Sequence, residues 1–160
     1  MRPTKILSLV ATALAVAGGS FLLTGFLVTR GYPVALSPFN FSLTLIAIAA
    51  VIALLGIPLW RYRTALKRPN VSSRPKRVDP FYAVQVLLLS KATSISGSIF
   101  VGWHLGLLLY QLFSPIVVLD ALGRNLFAFI AALLMVVSGF VTELVCRLPD
   151  SGDESEAATA

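Results

Sequence analysis

Three ionisable side chains stand within or at the edge of otherwise apolar stretches: Lys91, His104 and Glu143. A charge well inside lipid costs about 2.5–3.5 kcal/mol on insertion scales, so such residues pair with one another or reach for the head groups. Lys91 opens one apolar stretch, and Glu143 stands three residues before Cys146 at the close of another. On helices that run in opposite directions the two fall at one depth, which makes them a candidate ion pair. Snorkelling of each to the interface is the competing reading. His104, near the middle of its stretch, has no carboxylate at matching depth. A neutral imidazole bonded to a serine or a backbone carbonyl suits it better than a proton relay, with a polar path past His104 as the second reading.

The stretch that holds Lys91 and His104 also carries Ser90, Ser94, Ser98, Gly102 and Gly106, one small residue every four. On a helix that spacing makes one continuous small-residue ridge. Lipid supplies no hydrophobic drive between helices, so small side chains matter because they let backbones approach. Ala11, Ala15 and Gly19 form a shorter ridge, and Ala49 and Ala53 another. Packing inside one bundle is the first expectation for all three; self-association or docking to another membrane subunit is the second.

One histidine and one cysteine, with no clustered acids inside the apolar stretches, exclude the familiar zinc and thiol centres. There is no Gly-rich loop ending in Lys-Ser/Thr to cradle a phosphate. The serines at 90, 94 and 98 have no base beside them. No catalytic, cofactor-binding or metal-binding residue is nominated, and the expectation is a non-catalytic protein without a cofactor. The lone Cys146 supports no disulfide framework.

The elements that must hold these residues follow from the hydropathy. Of 160 residues 57% are hydrophobic and 12% charged. A soluble domain carries about 25% charge, so a soluble globular enzyme is excluded along with a disordered chain. Residues 6–29, 41–60, 92–113 and 126–146 are apolar, Glu143 being the one charge among them. About 20 residues at a 1.5 Å rise cross a hydrocarbon core of roughly 30 Å. Backbone groups in lipid must pair internally, so each stretch is expected to be a helix. The fold class is therefore an all-α integral membrane protein: four transmembrane helices as two hairpins in one domain over 1–149. Arg2 and Lys5 before an apolar run, with Ala15-Val16-Ala17 after it, resemble a signal peptide. The apolar run continues to Val28, which favours a retained signal anchor over cleavage.

Basic residues set the orientation. Arg2 and Lys5 precede the first helix, and Arg61, Arg63, Lys67, Arg68, Arg74, Lys76 and Arg77 lie between the second and third. Arg30 and Arg124 are the only cations in the other two connections. Retention of positive loops places both termini and the basic loop, residues 61–80, on the cytoplasmic side of the cell membrane. The loop is expected to rest on anionic lipid head groups, and the pI near 10 is explained by this rather than by nucleic-acid binding. Pro69, Pro75, Asn70, Ser72 and Ser73 make the loop irregular. Asp79-Pro80 then reads as a helix start that lets the third helix begin early and run long. The acidic tail, 150–160, is expected to be disordered.

Arg77-Val78-Asp79-Pro80 with Ala83, Leu89-Ser90-Lys91-Ala92, the stretch Gly102 to Gly106, and Glu143-Leu144-Val145-Cys146-Arg147-Leu148-Pro149 together resemble a family of small actinobacterial membrane proteins. That family has no assigned biochemical function, and its members are often encoded beside folate-biosynthesis genes. The resemblance covers Arg77 to Pro149 well. It implies four helices and places Lys91, Glu143 and Arg147 among the family-pattern positions; it supplies no substrate. The functional expectation is an accessory or scaffold subunit that packs against another membrane protein or itself. The alternative is a small oligomeric transporter or channel with a polar path near His104.

Overall fold

A computed structural model of the chain describes residues 6–34, 36–66, 80–114 and 118–146. These form four α-helices: α1 (Ile6–Thr29), α2 (Phe39–Leu66), α3 (Pro80–Phe113) and α4 (Leu119–Cys146). All four are long and apolar enough to cross a membrane, and the described residues contain no strand. Large apolar side chains stay exposed along every helix, Leu7, Leu22, Leu54, Leu88 and Leu134 among them. In water that surface would aggregate; facing lipid, it is what a multi-pass membrane protein presents.

α1 coincides with the first uncharged stretch and ends where the chain turns left-handed at Gly31, φ 84°. There the Gly31 N–H donates to Val28 and the Tyr32 N–H to Leu27, a cap that satisfies the last carbonyls and that glycine alone adopts at no steric cost. α2 runs past Trp60 to Leu66. α3 is described from Pro80, Asp79 of the expected helix start lying outside the described residues, and its 34 residues make a rod of about 51 Å. α4 starts seven residues before its fully apolar stretch, in a turn where Arg124 Nε lies 3.0 Å from Asp120. Arg2, Lys5, most of the basic loop (67–79), Arg147 and the acidic tail lie outside the described residues.

In space the helices form the row α1–α3–α4–α2. α3 and α4 make the central antiparallel pair. α1 lies parallel to α3, and α2 parallel to α4. Among the described residues α1 meets neither α2 nor α4, and α2 only grazes α3. The first hairpin is therefore open, its two arms held apart by the second. For orientation, the basal end is where α1 and α3 begin, and the distal end is where α1 gives way to α2.

The core sits on α4. Leu45 and Ala49 of α2, Val101 of α3 and Ala131, Ala132 and Met135 of α4 close one apolar cluster. A smaller cluster at the basal end joins Leu59, Val86 and Cys146. Pro58 inside α2 withdraws the N–H that would bond Leu54. The neighbouring helices hold this turn from outside: the Tyr82 hydroxyl donates to the Leu55 carbonyl at 2.9 Å, and Thr142 Oγ1 lies 3.5 Å from the Ile52 carbonyl.

Candidate functional site

The small-residue ridge of α3 is buried along its whole length, with Ser90 and Ser94 at 0% and Ser98 at 2% exposure. It serves two neighbours in turn. At its basal half α4 closes in: a β-carbon on Gly139 would stand 2.8 Å from the Ser94 nitrogen and 2.9 Å from the Ser90 carbonyl oxygen. Toward the distal end α1 takes over, so that a β-carbon on Gly102 would overlap the Ala13 carbonyl and one on Gly106 the Ser20 hydroxyl. The serine hydroxyls donate to their own helix, Ser90 to Leu87, Ser94 to Lys91 and Ser98 to Ile95. They present small, internally satisfied surfaces.

α1 answers with Ala13, Val16, Ala17 and Ser20 rather than with its Ala11–Ala15–Gly19 ridge. Ala11, Ala15, Gly18 and Gly19 are exposed, and β-carbons added at Gly18 or Gly19 would meet nothing within 4 Å. The expectation that this ridge packs inside the bundle is thus corrected: α1 turns its polar-edged face, with Ser20 and Thr24, toward α3. On α2, Ala49 is buried and Ala53 exposed.

Lys91 and Glu143 fall on either side of the α3–α4 crossing. The register of that antiparallel pair, with Gly97 against Val136 and Ser94 against Gly139, sets Glu143 opposite Ser90, whose neighbour is Lys91. Glu143 is buried, at 2% exposure, and Lys91 is half-buried.

His104 is buried at 1%. Its Nδ1 lies 3.3 Å from the hydroxyl of Ser37 in the α1–α2 connection, and Phe41 sets its ring against the imidazole at 6.1 Å. Two cavities flank this point and share Ser37. One, of about 310 Å³, lies between the start of α2 and α3. The other, of about 360 Å³, lies between the start of α2 and α4, bordered by Ser42, Asp120 and Arg124. Among the described residues no three metal-ligating side chains gather.

The family model described as a protein of unknown function, DUF3180, matches residues 9–150. The chain belongs to the DUF3180 family. The resemblance legible from Arg77 to Pro149 therefore extends through α1 and α2. Neither a curated protein nor a solved structure matches the chain.

The DUF3180 bundle also buries polar side chains that hydropathy passes over. Asn125 is fully buried and Gln111 nearly so. Their side-chain amides, like His104 Nε2, have no hydrogen-bond partner among the described residues. The same α3–α4 register puts Asn125 opposite Leu108, one turn distal of His104, with Gln111 a turn beyond. A sequence signal for Asn125 does exist: Ala121, Asn125, Ala128, Ala132, Met135 and Gly139 recur at three and four residues, the buried stripe of α4. The apolar stretch beginning at Leu126 cuts that stripe one residue too late to include it.

Proposed function

We propose that this DUF3180 protein is a non-catalytic accessory or scaffold subunit of the cell membrane, working through helix contacts with another membrane protein or a second copy of itself. The observation that carries this reading is the free flank of α1. The row ends there, and its outer face offers Ala11, Ala15, Gly18 and Gly19, with exposed Leu14 and Leu22 beside them. Small residues on a lipid-facing helix allow close backbone approach by a further helix. The α3 ridge is filled by α1 and α4, so the docking role moves to α1. Both termini are assigned to the cytoplasmic side on the Lys and Arg distribution. The basic segment between α2 and α3 then meets anionic head groups, each cation contributing at most about 1 kcal/mol. Nucleic acid is not a proposed partner.

The test is purification from native membranes with mass spectrometry and mass determination of the intact complex. The expected result is a stoichiometric partner or homo-oligomer that dissociates in Gly19→Leu and Ala15→Leu but survives Leu54→Trp on the exposed side of α2. A monomer without a partner, or association indifferent to the α1 variants, overturns it.

A second reading, a small oligomeric transporter or channel, draws support from the buried, unsatisfied His104, Gln111 and Asn125. His104→Ala separates the two: lost transport at unchanged expression supports the path, and lowered stability alone supports packing.

A further inference from the structure

The 310 Å³ cavity between the start of α2 and α3 has a wall of Leu36, Pro38, Phe41, Ile99, Phe100 and Trp103, with Ser37, His104 and Leu107 completing it. No lining residue carries a formal charge at neutral imidazole. The cavity exists because α2 lies against α4 and only grazes α3, leaving a gap on the α2–α3 side. Ile99 and Trp103 at its rim are partly exposed, at 43% and 37%, so the gap opens on the outer surface of the bundle.

His104 is the polar residue in that wall with capacity to spare. Its Nδ1 is engaged by Ser37, whereas its Nε2 is covered and has no hydrogen-bond partner among the described residues. A buried imidazole nitrogen without a partner forfeits the hydrogen bond it would make in water. Histidine χ2 is a soft torsion, so the ring can turn to bring Nε2 to an oxygen in the cavity, exchanging the 3.3 Å Ser37 contact for it. A neutral imidazole offers a proton at Nε2 in one tautomer and a lone pair in the other. A hydroxyl group matches either state, a carbonyl only one.

We propose that the cavity between the start of α2 and α3 binds a neutral, membrane-dissolved alcohol, its apolar body against Phe41, Phe100 and Trp103 and its hydroxyl on His104. A dry cavity of about 150 Å³ accepts benzene, so this one has room for roughly a dozen heavy atoms. That is the scale of the oxygen-bearing end of an isoprenoid or alkyl alcohol, whose tail would leave past Ile99 into lipid. Anionic and cationic head groups are excluded by a wall with nothing to neutralise them.

The test uses the fact that His104 is the only histidine in the chain. Full-length protein labelled with ¹⁵N at histidine gives one ring to follow in detergent micelles. Geraniol is the probe and myrcene, a hydrocarbon of the same carbon count without the hydroxyl, its control. The expected result is a saturable shift of the Nε2 resonance with geraniol, at least tenfold weaker with myrcene. Ile99→Trp fills the cavity from its exposed rim without touching the core, and should raise the geraniol midpoint at least tenfold. Equal shifts from both probes, no saturation, or an Ile99→Trp variant that responds like the unmodified protein overturns the proposal.

Discussion

The hydroxyl of Ser20 occupies the space that a side chain at Gly106 would need. From there it lies 3.1 Å from the Ala17 carbonyl of its own helix and 3.3 Å from the Trp103 carbonyl of α3. A β-carbon at 106 would overlap it and would stand 2.5 Å from the Ala17 carbonyl and 3.0 Å from the Phe21 nitrogen. The absence of one methyl group is thus what brings a polar atom of α1 to the backbone of α3.

Gly106→Ala should therefore destabilise the bundle by about 1–3 kcal/mol, the usual range for overpacking, against a helix-propensity gain of up to about 1 kcal/mol. Gly19→Ala, with open space around it, keeps only the gain. Thermal unfolding in detergent should move the two variants in opposite directions. Ser20→Gly should rescue Gly106→Ala only in part, because two of the three obstructing atoms are backbone and cannot step aside.

Lys91→Met and Glu143→Gln should each lower stability, and the double variant should lose less than the sum. Coupling of residues in contact runs about 0.5–3 kcal/mol. Glu143 is the more deeply buried of the two, so its carboxylate left without the lysine should be the costlier single state. Strict additivity in denaturant unfolding would show that each residue is satisfied separately.

Tyr82→Phe removes the donor that α3 offers beside Pro58. A loss of about 0.5–1.5 kcal/mol is expected, the net worth of one hydrogen bond. Amide hydrogen exchange should rise locally in the α2 turn around Leu55, while the distal half of α2 stays protected.

Asn125→Val exchanges an amide without a partner for an apolar group of comparable size. Removing an unsatisfied buried polar group offsets the change in packing, so unfolding should occur at the same denaturant concentration or higher. A loss beyond about 1 kcal/mol would show that the amide is engaged by something the folded chain alone does not supply.

Sequence made the helices legible and left their neighbours hidden, for reasons that differ by residue. The end of α1 is legible because Thr29 closes both the apolar run and the helix. α2 and α4 outrun their apolar stretches because hydropathy reports immersion in lipid, whereas a helix continues wherever its backbone bonds do. Arg61 and Tyr62 extend one, and the Asp120–Arg124 pair begins the other. Four-residue spacing marks out the α3 ridge, but small size says nothing about which helix arrives. For Ala11, Ala15 and Gly19 none arrives among the described residues. The positions that receive α3's glycines, Ala13, Val16 and Ser20, have no pattern of their own apart from the surface they meet. His104 was visible as an isolated imidazole; Ser37, from a connection that lies 67 residues earlier, was not.

The row α1–α3–α4–α2 has a consequence for how the chain is made. Helices leave the insertion machinery in the order of the sequence, so α1 and α2 enter the bilayer as a pair with no interface between them. Their native partners are still unsynthesised, and the α3–α4 hairpin must later wedge between two helices already in place. Half-formed chains are thus a vulnerable stage, open to degradation or in need of a holding factor, until Gly102 and Gly106 reach α1. The C-terminal half, by contrast, contains its own principal interface, and supplied as a separate fragment it should capture the N-terminal half after synthesis.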